Sequence, residues 1–292
     1  MEIKKGPGEV AFDSVNIFIL ILLSTVTLYP FLHVFFASLS DPVLFAEHTG
    51  FLYKPIGFST AAYMAVFKRQ QIWQGYMNTV IYVVLGTTIN ITLTSLAAYG
   101  LSRKNVFFAK PIMLMIVFTM FFSGGMIPNY LLITNLKLRD TVWAIVLPSA
   151  ISAWNFIIMR TSFQAIPDSM EESARLDGAN DFVILWKIIL PLSSAIISVM
   201  VMFYGVSNYN RWFEAFLYLR DRTMHPLQLI LREILVENTQ EEMMTGTVNN
   251  REKIGLTIQY ATIMVATIPI ICIYPFLQKY FVKGVMVGAI KG

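Results

Sequence analysis

The chain has 292 residues, of which 56% are apolar and 14% charged, with mean hydropathy +0.61 and a formal net charge of +4. Soluble domains carry nearer a quarter charged residues, so this composition excludes an ordinary soluble domain. The small positive balance suits anionic lipid head groups better than nucleic acid. The single cysteine, Cys272, excludes an internal disulfide.

In chain order, apolar residues gather in six long uncharged runs, near 14–37, 78–101, 111–133, 141–159, 188–207 and 257–278. About 20 residues at 1.5 Å rise cross about 30 Å of hydrocarbon. In lipid, backbone polar groups must be satisfied within the segment, so each run is expected to be a helix. The expectation is an all-α integral membrane protein with six transmembrane helices, forming one domain over residues 1–292. The first run is flanked by Lys4 and Lys5 but is too long for a cleaved leader. Its end, Thr27–His33, also lacks a small-residue cleavage site, so it is expected to be a retained span.

The segments 38–77 and 208–256 are long enough to carry short helices and to meet a soluble partner. Span two holds Thr87, Thr88, Asn90, Thr92, Thr94 and Ser95, and span four holds Ser149, Ser152, Trp154 and Asn155. Helix–helix hydrogen bonding is favoured over a substrate path for these uncharged groups. Between them, Phe121–Tyr130 carries adjacent glycines and a proline, which predicts an unwound outer end of span three. Aromatic faces and amide groups can line the path of a polar solute, so Tyr130, Asn155, Asn208, Tyr209, Asn210 and Trp212 are candidate pathway contacts. Tyr209 and Trp212 also suit an interfacial belt. Asp221–Pro226 is expected to turn, and Leu227, Ile230, Leu231 and Ile234 predict a short amphipathic helix.

The polar segment 161–187 between spans four and five is the most informative. Ser169 with Glu172 has capping-box spacing for a helix start. The helix runs on through Met170–Asp177 and stops at Gly178, which tolerates the left-handed conformation. Asn180 or Asp181 caps a second helix bearing Phe182, Leu185 and Ile189, which merges into span five. Met170, Ala174 and Asp177 fall near one face, where small Ala174 admits a close partner and Glu171 and Glu172 offer charge. The expected object is a short helix, a sharp turn and a longer helix able to transmit a push along a rigid axis.

The pattern Glu172-Ser173-Ala174, three residues, Gly178, nine residues, then Ile188-x-Leu190-Pro191 resembles the EAA loop of ABC importer permeases. Further segments carry a narrower resemblance, to MalG-like permeases of the carbohydrate-uptake class and their LplC/YtcP-type branch. They are Leu28–Phe31, Ser38–Pro42, Asn78-Thr79, Tyr99-Gly-Leu-Ser-Arg103 and the tail Lys283–Gly292. Ser173, in place of the usual first alanine, is a conservative departure.

The resemblance implies a type I importer permease fold with Met170, Glu171, Glu172, Ser173, Ala174, Asp177 and Gly178 docking an ATPase. It further implies a second homologous permease, an ATPase dimer that binds ATP and Mg, and an extracytoplasmic binding protein delivering an oligosaccharide. In that family the tail reaches toward the ATPase dimer interface. Basic residues divide evenly between the two sides, so the charge rule favours N-in and C-in weakly. The docking loop decides it, because an ATPase site must be cytoplasmic.

No span carries Asp, Glu, Lys or Arg in its central portion, which argues against ion-coupled transport. No Gly-x-x-x-x-Gly-Lys-Ser/Thr loop occurs, and His33, His48 and His225 stand apart. The chain is therefore expected to have no enzymatic site, metal or cofactor of its own. A self-contained facilitator or channel, and a membrane scaffold recruiting a cytoplasmic protein, are the alternatives.

Overall fold

The computed structural model describes residues 6–104, 106–245, 255–272 and 275, with side chains to 236 in the helix Leu227–Thr245. Among these residues the structure is helical, and Ser40 and Phe58 make one isolated bridge. Three helices are long and apolar enough to cross a membrane: Pro7–Ser38, Gln70–Ser102 and Gly255–Cys272. Three bent pairs raise the possible number of spans to six. They are Ala109–Phe121 with Met126–Asn135 (114°), Val142–Ser149 with Ala153–Gln164 (52°), and Asp181–Leu192 with Ser194–Tyr209 (86°). The break expected within Phe121–Tyr130 falls at 122–125, and the runs read as spans four and five are bent as well. The tail Lys283–Gly292 lies outside the described residues.

The chain divides into two compact units, Met1–Gln70 with Leu231–Ile268, and Gln71–Ile230 with Pro269–Gly292. In the first, none of the apolar window of Pro7–Ser38 is buried within the chain, as suits a helix facing lipid. The C-terminal end of that helix is dressed by residues 39–60. Tyr29 accepts a hydrogen bond from the Leu52 amide at 3.1 Å, and the rings of Tyr29, Phe45 and Tyr260 surround His33. Asp41 caps Pro42–Glu47 by accepting from the amides of Val43 and Leu44, because a side-chain oxygen there satisfies otherwise orphaned donors.

In the second unit the unbroken helix Gln70–Ser102 is hydrogen-bonded to two of the bent pairs, Val142–Ser149 with Ala153–Gln164 and Asp181–Leu192 with Ser194–Tyr209. Asn90 Nδ2 donates to the carbonyls of Ser149 and Ala150 at 2.7 and 2.9 Å, and Tyr204 Oη accepts from the Ser152 amide at 3.1 Å. Thr94 and Tyr204 share a further hydrogen bond at 2.8 Å. Backbone groups freed at a helix break in lipid must find partners, and these side chains supply them. Nearby, Asn208 Nδ2 reaches Thr87 Oγ1 at 3.1 Å and Asn90 Oδ1 at 3.0 Å. Gly86 admits this approach, since a Cβ there would lie 2.9 Å from Asn208 Cγ. The helix–helix hydrogen bonding expected of span two is present at Thr87, Asn90 and Thr94, whose partners Tyr204 and Asn208 lie in span five.

The break in span five has a local cause. Pro191 has no amide proton, and its ring clashes with the carbonyl four residues earlier, so the turn before it opens into a π-helix over Leu185–Ile189. The direction then changes at Ser193. Asp181–Leu192 is therefore not collinear with Ser194–Tyr209, and the expected straight axis through span five is absent.

Candidate docking site

The loop after Gln164 opens at Pro167 and enters the helix Asp168–Leu176. Pro167 stands at the N-cap with no side-chain cap bond. The expected capping box at Ser169 is therefore not formed, because the helix starts before it. The end matches expectation. Gly178 has φ of +82°, its amide donates to the Arg175 carbonyl at 3.0 Å, and the Ala179 amide donates to the Ala174 carbonyl at 2.9 Å. These two bonds make a Schellman close, which needs a residue free to turn left-handed. Asn180 then caps the following helix by accepting from the Val183 amide at 2.9 Å.

One side of the short helix is locked onto the chain's own core. Glu171 and Ala174 are 8% and 9% exposed, Ala174 packing with Phe163, Ile184 and Leu185. Tyr99 donates its hydroxyl to Glu171 Oε1 at 2.7 Å, and the Arg103 guanidinium pairs with Oε2. Arg103 also lies 4.9 Å over the Tyr99 ring and donates to the Phe163 carbonyl at 3.4 Å. Arg175 pairs with Asp181 and lies 3.7 Å from Glu171, while Lys104 pairs with Asp168. Hydrogen bonding and charge from Lys104 hold the Asp168 carboxyl below its ordinary range, and Asp168 raises Lys104 in return.

These contacts turn two of the expected docking residues, Glu171 and Ala174, toward the chain's own core. Of the two adjacent acids, Glu172 is exposed and Glu171 buried. The outward face is Ser169, Glu172, Ser173 and Leu176, at positions i, i+3, i+4 and i+7, with Met170 and Asp177 on its margin. Leu176 is 89% exposed and Met170 51% exposed. Among the described residues the Glu172 and Asp177 carboxylates carry no hydrogen bond or ion pair, and Lys104 feels Glu172 only through space. Leu176 was missed because a lone leucine in a charged helix gives no periodic signal. Tyr99 and Arg103 were noticed without a role, since their partner is some seventy residues away.

The family profile for "Binding-protein-dependent transport system inner membrane component" matches residues 12–211, which include this loop and its anchor. The chain belongs to that family. The permease is 41% identical over 286 residues to the "Polygalacturonan/rhamnogalacturonan transport system permease protein YtcP" of Bacillus subtilis, covering 96% of this chain and 98% of the relative. "Protein LplC" of the same organism is 36% identical over 281 residues, covering 96% and 95%. The crystal structure of a bacterial ABC transporter involved in import of the acidic polysaccharide alginate superposes with a TM-score of 0.86. It is 31% identical, covering 96% of the permease and 99% of the matched chain. The permease is therefore a multi-pass inner-membrane transport subunit of an ABC importer and not an enzyme, the ATPase being a separate subunit.

The six pathway candidates are spread over several helices and helix ends. Asn208 has its amide donor engaged by Thr87 and Asn90, so it serves as a joint between helices. The Tyr130 ring stacks on Tyr218 at 6.3 Å between centroids and carries the Arg139 guanidinium at 5.1 Å. Trp212 begins the helix Trp212–Tyr218 and packs against the cluster of Tyr82, Ile145 and Leu229. Asn210 ends Ser194–Tyr209 and donates to the Val206 carbonyl at 3.0 Å. Asn155 is 7% exposed, in the first turn of Ala153–Gln164. Tyr209 is half-buried. These residues are mainly engaged in packing and helix ends.

Proposed function

We propose that this permease is one membrane half of an importer for acidic oligosaccharides, with six spans and both termini cytoplasmic, as a single domain over 1–292. Its outward face at Ser169, Glu172, Ser173 and Leu176 docks in a cleft of an ATPase that binds ATP and Mg. Met170, Asp177 and Gly178 complete that docking element. A second homologous permease, an ATPase dimer and an extracytoplasmic binding protein complete the assembly. The carbohydrate passes from the binding protein into the cytoplasm.

The observation that carries docking is the two-sided chemistry of Asp168–Leu176. One side is clamped through Glu171, and the other presents an exposed leucine beside unpaired acids. Exposed apolar surface rimmed by charge is what a protein partner buries. The substrate class rests on the relatives. The 41% identical permease is named for polygalacturonan and rhamnogalacturonan, and the superposed importer takes up alginate.

The test is uptake by proteoliposomes holding the complete complex and its binding protein, offered short uronate oligomers or neutral oligomers of equal length. ATP-dependent uptake of the uronates, with little of the neutral sugars, is expected. Preference for neutral oligomers would overturn the substrate class, and uptake without added ATPase would overturn the importer assignment.

A further inference from the structure

The helix Gln70–Ser102 is gripped at both ends by hydrogen bonds that reach distant parts of the second unit. At one end Tyr99 donates to Glu171 at 2.7 Å, and Arg103, just past the helix, pairs with the same carboxylate. At the other, Asn78 Nδ2 donates to the carbonyls of Thr223 and His225 at 2.7 and 3.1 Å. Tyr82 Oη donates to the Met224 carbonyl at 2.7 Å, and the Leu227 amide donates to Thr79 Oγ1 at 2.9 Å. Gly75 lets this segment lie close, since a Cβ there would stand 3.1 Å from Leu227 Cα. Thus Thr223–Leu227 is held as tightly as the docking helix.

Between the two grips the helix has no proline and no break, whereas the three bent pairs in the same unit turn by 52° to 114°. Those bends can absorb motion, and an unbroken hydrogen-bonded helix cannot. Tyr82 and Tyr99 lie about 25 Å apart along the axis at 1.5 Å per residue.

We infer that Tyr82 and Tyr99 are positioning residues of one rigid link, by which a displacement of Thr223–Leu227 is delivered to the docking helix and back. This rests on the proposed docking reading, which places the two grips on opposite sides of the membrane. The binding protein then acts on the ATPase through one helix, with no need for the broken spans to carry the signal. Coupling of this kind is reciprocal, so ATPase closure would move Thr223–Leu227 by the same route.

The test is a double-mutant cycle on the complete importer with Tyr82→Phe and Tyr99→Phe, each of which removes only a hydroxyl. The readout is the ratio of ATPase rate with binding protein and sugar to the rate without them. Subunit co-purification checks that each variant assembles. Each single variant should lower the ratio about fivefold, the size of one lost net hydrogen bond. The double variant should also fall about fivefold, because a link broken once is not broken further. Sites more than about 10 Å apart ordinarily act independently, so a loss of about 25-fold in the double variant would overturn the rigid link. So would single variants that leave the ratio unchanged. An unmutated complex in which binding protein gives no stimulation would instead overturn the importer reading itself.

Discussion

Glu171 accepts a hydrogen bond from the hydroxyl of Tyr99 at 2.7 Å while Arg103 pairs with its other oxygen, so the docking helix is fastened to the end of Gln70–Ser102. The fastening assigns different duties to two adjacent acids. Glu171 holds the helix in place, and Glu172 faces outward.

Charge reversal should separate them. Glu171→Lys puts a cation beside Arg103 at a site about one-tenth exposed, and breaking a buried pair costs about 3–5 kcal/mol. Thermal unfolding of the complex in detergent should show a large fall. Glu172→Lys should leave the unfolding temperature nearly unchanged and reduce ATPase retention on co-purification. Equal effects on both readouts would refute the division.

Gly178 sits at φ +82° with nothing near its Cβ position, so strain alone governs substitution there. An L-residue in that region costs about 1–2 kcal/mol, and asparagine is better tolerated than most. Gly178→Val should abolish most sugar-stimulated ATPase activity while the permease still inserts. Gly178→Asn should retain it. A fully coupled Gly178→Val importer would contradict the Schellman close as a requirement.

Much of this loop was legible in the sequence, and particular residues show where legibility stopped. Gly178 and Asn180 were readable because a left-handed turn and a helix cap each make a local demand on residue type. The inward position of Ala174 was not, since a small residue suits a partner's surface and the chain's own core equally. Span positions followed from apolar length, but hydropathy does not see direction. Gly124, Gly125 and Pro128 marked the bend at 122–125 and Pro191 the one near Ser193, whereas the bend at 150–152 was hidden inside a continuous apolar run. The Tyr99–Glu171 contact joins residues far apart in the chain, and no local pattern encodes it.

The joint at Gly86 is tightly packed. A methyl group there would meet Asn208 at 2.9 Å and displace its bonds to Thr87 and Asn90. Gly86→Ala should destabilise the permease by about 1–3 kcal/mol, the usual cost of overpacking. Thermal unfolding checks this, and a variant as stable as the parent would show that Asn208 is free to move.

The Lys104–Asp168 pair gives a pH signature. Lys104 lowers the folded pKa of Asp168, so the pair's contribution is present above the ordinary carboxylate range, about 3.9, and is lost as pH falls through the folded value. Asp168 raises Lys104, so the contribution is present below about 10.4 and is lost as pH rises through the folded value. Both groups are exposed, and the effect is small. The unfolding-temperature difference between parent and Asp168→Asn should be flat from about pH 5 to 9 and shrink below about pH 4. A difference that changes near pH 7 would assign it to another group.

The energy source is the most direct test of the account. Proteoliposomes containing the complete importer should accumulate sugar when ATP is supplied and all ion gradients are collapsed. Accumulation should stop when the ATPase partner is inactivated with every gradient intact, because none of the six apolar runs carries a charged residue in its central portion to couple an ion. Concentration of sugar on an imposed proton or sodium gradient without ATP would contradict the assignment of this chain as an ATP-driven importer permease.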